Sequence, residues 1–330
     1  MRTVLLAATT LAAAMLVAGC FETKQDVTLN PDQSGKVRVE LVMSDMPFTM
    51  MPQDDPPDPE MTSKRVAKSI LDGSKGIDTW SDVSVERTED NRTRFTGTAY
   101  FKDFTAMNLQ AGKMQGVTLE KTADGGMLLR LKPEQPGAPL GRRDTGTAPP
   151  AEPEKQMTDE EMQQRLAAER AKWQQMKPMM AMTIGKMKMD AIFRLPGKLV
   201  KVEGFQKTSD GGVQFVFDGT KVLEVIDKLM ADDSYVRENM LAGKGGMGQP
   251  PLGEEAMKQL FGTTGALVAQ TQGPAEPQFD YAAEVQAAKA AYPAMIKRLG
   301  LDKVPETGPG PQLPPGFGLP GSRKGRAGRP

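Results

Sequence analysis

The side chains able to do chemistry in this sequence are few in kind. Among 330 residues there is one cysteine, Cys20, and no histidine, against 23 methionines and 42 carboxylates. Without imidazole there is no Ser-His-Asp or Cys-His catalytic set, no His-ligated zinc, and no acid or base of that type working near neutral pH. A single thiol also forbids an internal disulfide, a paired-cysteine redox site or a cysteine-rich metal knuckle. Thioethers and carboxylates remain. Met43, Met46, Met50, Met51 and Met61 gather in one stretch, and Met176, Met179, Met180, Met182, Met187 and Met189 in another. Soft thioethers select Cu(I), so Met43, Met46, Met50 and Met51 are candidate metal ligands. Core packing or surface adaptability is the stronger expectation, because Met176 and Met180 fit one helix face and Met187 and Met189 one strand face; the Pro-rich stretch of Met43 to Met51 is the exception and should not bury all of its methionines. The acidic run Asp54-Asp55-Pro56-Pro57-Asp58-Pro59-Glu60 lacks the glycine-punctuated spacing of a calcium loop. No carboxylate pair carries a glycosidase motif. The composition therefore predicts no catalytic residues and no cofactor, with a Cu(I)-handling protein and a carboxylate-based hydrolase as the alternatives.

The single thiol stands at a telling place. Arg2 opens a short positive segment, and Val4 to Ala18 is an apolar run of about fifteen residues, too short for the roughly twenty that a spanning helix needs. It reads as an export signal over residues 1–19. Its end, Leu16-Val17-Ala18-Gly19-Cys20, resembles the lipobox of bacterial lipoproteins. That resemblance implies that Cys20 is acylated on sulfur and becomes the new N-terminus. Two or three acyl chains hold firmly where a single chain would not. The expected partners are thus the lipid bilayer, through Cys20, and an unidentified envelope component. Localisation at the cell membrane or outer membrane follows, facing the periplasm or the exterior. The 42 Lys and Arg balance the 42 Asp and Glu, which leaves no electrostatic footprint for nucleic acid.

The elements that would follow the anchor fall into blocks. Residues 133–154 hold nine Pro or Gly in twenty-two and read as a linker. Residues 243–253 hold seven in eleven and read as a flexible loop; residues 301–330 hold fourteen in thirty and read as a disordered basic tail. Before the linker, in 20–132, the period is two. Val27 and Leu29 alternate up to the turn Asn30-Pro31-Asp32-Gln33-Ser34-Gly35, and Val37, Val39, Leu41 and Met43 alternate after it, which predicts a hairpin whose first ladder residue is Val27. Val66, Ala67, Ile70 and Leu71 predict a helix over 61–72 closed by Gly73. Strands are expected at 83–85, 93–101, 117–119 and 127–131. After the linker, in 155–242, Thr158 and Glu161 form a capping box ahead of a helix striped by Met162, Leu166, Trp173, Met176 and Met180 and interrupted at Pro178. Strands are expected again at 187–195, 200–202 and 213–217, and Val222, Val225, Ile226, Leu229 and Met230 predict a short helix. Residues 254–300 read as helical. An echo links the halves: Lys121-Thr122-Ala123-Asp124-Gly125-Gly126 recurs as Lys207-Thr208-Ser209-Asp210-Gly211-Gly212, and loosely as Arg87-Thr88-Glu89-Asp90-Asn91, each a hairpin tip. The predicted fold class is α+β: two antiparallel β-rich units with covering helices, joined by a Pro/Gly-rich linker.

The lipobox cysteine followed by Asp26-Val27-Thr28-Leu29-Asn30-Pro31-Asp32-Gln33-Ser34-Gly35-Lys36-Val37 resembles the first hairpin of bacterial LppM-like lipoproteins, and Phe193-Arg194-Leu195-Pro196-Gly197-Lys198-Leu199-Val200 is similar to a later strand of that domain. The layout is also similar to that of uncharacterised planctomycete-type envelope lipoproteins. The resemblance spans about a third of the chain. It implies an α+β envelope domain and supplies no catalytic residues. The expected function is a membrane-anchored, non-enzymatic binding or structural module.

Overall fold

The computed structural model describes residues 21–44, 58–110, 116–132, 158–241 and 254–305. The chain is α+β, with a seven-stranded and a four-stranded sheet. In chain order the strands are β1 (Phe21–Leu29), β2 (Gly35–Met43), β3 (Thr79–Arg87), β4 (Thr93–Phe101), β5 (Val117–Lys121), β6 (Met127–Leu131), β7 (Lys188–Arg194), β8 (Lys198–Glu203), β9 (Gln206–Lys207), β10 (Val213–Asp218) and β11 (Leu267–Gln272). The principal helices are α1 (Pro59–Gly73), α2 (Asp159–Thr183), α3 (Gly219–Ala231), α4 (Glu254–Phe261) and α5 (Tyr281–Arg298).

Local chemistry explains where these elements begin and end. Asp58 caps α1 by accepting from the Glu60 amide at 3.0 Å, and Pro59 takes the first helical position, so this helix starts two residues before the apolar stripe suggests. Thr158 and Glu161 form the expected reciprocal cap of α2. That helix continues through Pro178 to Thr183 instead of stopping there. Four hairpin tips share one geometry. In each, the amide of Asn30, Thr88, Thr122 or Thr208 donates to the carbonyl four residues on. The fourth residue, Gln33, Asn91, Gly125 or Gly211, takes a positive φ of 75°, 59°, 85° or 85°. The third is aspartate in every case, and a nearby hydroxyl donates to its carboxylate. The tip at Asn30 lacks the repeated sequence, so turn chemistry alone accounts for the echo.

The strand order is β3-β4-β2-β1-β7-β10-β9 in the larger sheet and β5-β6-β11-β8 in the smaller. All neighbours are antiparallel except β1 and β7, which run parallel from Glu22↔Lys188 to Thr28↔Arg194. This pairing corrects the expectation of two separate units. Each sheet draws strands from both sides of residues 133–154: β7, β9 and β10 extend the sheet begun by β1 to β4, while β8 and β11 complete the one begun by β5 and β6. The 133–154 segment itself lies outside the described residues, as do residues 243–253. Two further boundaries move. The 254–300 block contains β11 as well as helix, and Leu301 and Val304, only 1% and 5% exposed, seat a short 3₁₀ turn on the core where a disordered tail was expected to begin.

One core joins the sheets. Val27, Leu29, Val37, Val39, Leu41, Phe95, Phe101, Phe193, Val213 and Phe215 line the inner face of the larger sheet. They meet Val66, Ala67 and Ile70 of α1 and Leu129, Leu131, Leu267 and Ala269 of the smaller sheet. Edge-to-face pairs Phe104–Phe193 at 6.4 Å and Phe193–Phe205 at 6.1 Å run through its middle. A second cluster, built on Leu166, Trp173, Val222, Ile226, Leu229 and Ala256, forms a helical lobe of α2, α3 and α4. Trp173 donates its indole N–H to Asp227 at 2.7 Å, and Arg170 donates to the Met230 and Ala231 carbonyls at the end of α3.

A polar latch closes the sheet edge where β1 and β7 end. The buried Asn30 side chain donates to Ser34 Oγ and the Phe279 carbonyl and accepts from the Gln278 amide at 2.8 Å. Gln278 Nε2 in turn donates to the Leu29 and Arg194 carbonyls, the last residues of the two parallel strands. Lys36 pairs with Glu284 at 2.8 Å and lies over the Phe279 ring at 4.2 Å. Nearby, the Thr208 hydroxyl and then the Arg194 guanidinium lower the pKa of Asp210 to about 2. Asn30→Ala strands several buried partners at once, so it is expected to destabilise the fold by about 1–3 kcal/mol and to lower the urea midpoint without changing the slope.

Candidate membrane-proximal edge

At one edge of the larger sheet β1, β4 and β7 begin and β2, β3 and β10 end. Phe21 pairs with Met43, Met43 with Thr93, and Thr93 with Arg87. Glu22 pairs with Lys188, and Lys188 with Asp218. Cys20 lies outside the described residues, but its neighbour Phe21 is already a ladder residue. The expected start at Val27 is therefore corrected by six positions. A free tether of at most six residues becomes a single peptide step of about 3.8 Å between Cα atoms. The reason is visible in the side chains: Thr23 and Gln25, each 3% exposed, occupy the inward positions that apolar residues take later in β1. The strand period is present, written in polar residues.

The edge is built of apolar and charged groups in close order. Phe21, Met43 and the α1 residue Met61 are half-buried against the main core. The fully buried Thr93 hydroxyl shares a 3.0 Å hydrogen bond with Ser63 of α1. One strand step inward, the buried Thr23 hydroxyl has no hydrogen-bond partner among the described residues. On the outer face Arg92 donates to Glu22 at 2.7 Å and to Asp90 at 2.6 Å. Burial works against the Arg92 charge, yet its bonds to these two carboxylates raise its pKa. The Thr88 hydroxyl, with Arg92 behind it, holds the Asp90 carboxyl below its ordinary range. Arg92 thereby ties the first turn of β1 to the β3–β4 tip.

The helical lobe is clamped to the same edge. After Thr183 the chain turns tightly, the Ile184 amide donating to the Met180 carbonyl at 2.8 Å and the Met187 amide to the Ile184 carbonyl at 2.9 Å. The first residue of α3, Gly219, donates to the Met187 carbonyl at 2.9 Å, and Thr220 Oγ1 donates to the Gly185 carbonyl at 3.0 Å. A Cβ at Gly219 would stand 1.6 Å from the Ile184 carbonyl oxygen, so only glycine permits this approach. Asp218 caps α3 through the Thr220 and Lys221 amides. The lobe thus leaves the sheet within one turn of Lys188, the ladder partner of Glu22.

The methionines divide by place. Met43, Met61, Met176 and Met180 are half-buried in apolar packing, and Met187 is buried. Met179 and Met182 are exposed, at 36% and 53%. Met46, Met50 and Met51 lie outside the described residues. The described residues contain no group of three Cys, Asp or Glu placed to hold a metal ion. They also contain no helix long and apolar enough to cross a membrane. The sequence left Met179 and Met182 between core packing and surface adaptability, and the structure puts both on the surface. Their position opposite Leu166 and Trp173 on the helical wheel was the available signal.

No protein family and no curated protein matches this sequence. A search of solved structures finds the folded domain of LppM from Mycobacterium tuberculosis, determined by NMR, at 8% identity and a TM-score of 0.30, covering 78% of this chain and 91% of that one. This is a weak structural likeness and carries no weight for function.

Proposed function

We propose that this chain is an envelope lipoprotein, held on the bilayer through acylated Cys20, whose sheets form a non-enzymatic platform for another envelope component. The observation that carries the reading is the start of β1 at Phe21, one residue after the only cysteine. A lipid there fixes the sheet edge to the membrane with no spacer between them. The polar tips at Asn30–Ser34, Thr122–Gly126 and Thr208–Gly212 then lie at the opposite edge, away from the lipid, where the Gln278 latch braces the ends of β1 and β7. The outer face of β1, β2, β4 and β7 is polar, with Lys24, Glu40, Arg94, Asp26 and Arg194 paired across strands. A charged sheet face laced by cross-strand ion pairs suits recognition of a partner surface.

Cys20→Ala tests the anchor. Replacing the only thiol removes the acyl acceptor, so the variant is expected to leave the membrane fraction as released chain or to persist as uncleaved precursor. Fractionation followed by phase separation in detergent reads the outcome. A variant that still partitions as a mature, acylated protein overturns the reading.

A further inference from the structure

The solvent side of α2 changes character along its length. Up to Lys172 it exposes Asp159, Glu160, Glu161, Arg165 and Lys172, whereas beyond Lys172 it exposes Gln174, Gln175, Pro178, Met179, Ala181 and Met182, with no charge among them. The one cation of that stretch, Lys177, is turned aside into a 2.6 Å ion pair with Asp227 of α3. Met179 and Met182 are two of the four large apolar side chains most exposed to water among the described residues; the other two, Val200 and Val216, stand singly on strands β8 and β10. Scattered exposed valines are ordinary, but an uncharged, methionine-bearing helix end beside the sheet edge is not.

We propose that this end of α2 is a second membrane contact, which lays the helical lobe on the same bilayer that holds Cys20; the inference rests on the anchoring proposed above. Position favours lipid over any other occupant. Met182 precedes Lys188 by six residues, a reach of at most about 20 Å even if extended, and the hydrogen-bonded turn over Ile184–Met187 shortens it. Lys188 lies beside Glu22 in the parallel register, two residues from the acylated sulfur. The contact is therefore continuous with the anchor. Chemistry agrees with position. Methionine is flexible and polarisable enough to settle into a disordered acyl boundary, and the exposed Lys186 and Lys188 provide cations for anionic headgroups immediately beyond the helix end. A lipid tether alone leaves the body free to rotate about one residue. A second contact on the lobe fixes which face of the sheet looks outward.

The test uses the full acylated chain in phosphatidylcholine vesicles containing phosphatidylglycerol and a nitroxide-labelled phosphatidylcholine. Because the only native sulfhydryl is acylated, Met182→Cys introduces the sole free thiol, which is labelled with a bimane; Ala123→Cys, at the exposed β5–β6 tip of the opposite edge, is the reference. The bimane at position 182 should be quenched at least about fivefold more than the one at 123, as expected for a group within the interfacial layer against one beyond it. Equal, weak quenching at both positions, with a protein that carries its acyl mass and floats with the vesicles, overturns the second contact and leaves the anchor standing. A protein that lacks the acyl mass and fails to float overturns the anchor, and this contact with it.

Discussion

A chain cut once between residues 133 and 154 is expected to remain a single particle. Two autonomous units would drift apart once their linker was severed. Here the break falls between strands that share ladders. β1 and β7 hold seven register pairs from Glu22↔Lys188 to Thr28↔Arg194, and β6 and β11 four from Leu267↔Leu131 to Gln270↔Leu128. Separating the halves would expose the edges of β1 and β6, which lie inside their sheets, and open the core between Leu129 and Leu131 on one side and Leu267 and Ala269 on the other. Unpaired backbone and bare apolar surface together make that state strongly unfavourable. A protease site engineered between Ala138 and Gly141 provides the cut. The two fragments should co-elute on gel filtration with the secondary structure of the intact chain and separate only in denaturant. Neither should fold when expressed alone. Two fragments that separate spontaneously, each folded, would restore the two-unit division.

Phe193→Ala should be among the most damaging single substitutions. The ring is fully buried in β7, opposite Val27 in the ladder, and makes edge contacts with Phe104 on one side and Phe205 on the other. It sits where the larger sheet meets the loop segments that flank the smaller one, so the cavity left behind has walls from several elements and cannot collapse onto one neighbour. Phenylalanine-to-alanine changes at such sites cost about 3–5 kcal/mol, a large fraction of the roughly 5–15 kcal/mol that holds a domain together. Urea unfolding should show the loss directly. A cost under about 1 kcal/mol would mean that the two sheets do not share a packed core here.

What the sequence discloses about this fold is mostly what is local. The capping box of Thr158 and Glu161, the stripe of Val66, Ala67, Ile70 and Leu71, and the Asp-Gly turns each involve residues within one or two turns of each other, and each reappears in the structure. Pairing between distant strands leaves no such mark. Nothing in Lys188–Arg194 indicates that it lies parallel to Phe21–Leu29, and a Pro/Gly-rich stretch marks where the chain lacks packing residues without saying which strands meet beyond it. The first six residues of β1 and the whole of β11 escaped the sequence for a more specific reason. The inward positions of early β1 are Thr23 and Gln25, and those of β11 end in Ala269 and Thr271, so the alternation exists without strong apolar contrast. Leu301 and Val304 were hidden in the same way by the glycines and prolines that follow them. At the candidate site, the expectation at Cys20 rests on its motif and its solitude, and the residue itself lies outside the described ones. The absence of a spacer after it was not legible, because that depends on the register of Phe21 with Met43.

The most direct test of the anchoring account is the mass of the N-terminal peptide of the mature protein. Digestion of the membrane-extracted chain should yield a peptide that begins at Cys20 and continues Phe21-Glu22-Thr23-Lys24, heavier than its amino-acid sequence by a diacylglyceryl group, with or without a third acyl chain on the amino group. A mature chain that begins elsewhere, or at Cys20 with an unmodified sulfur, contradicts the account.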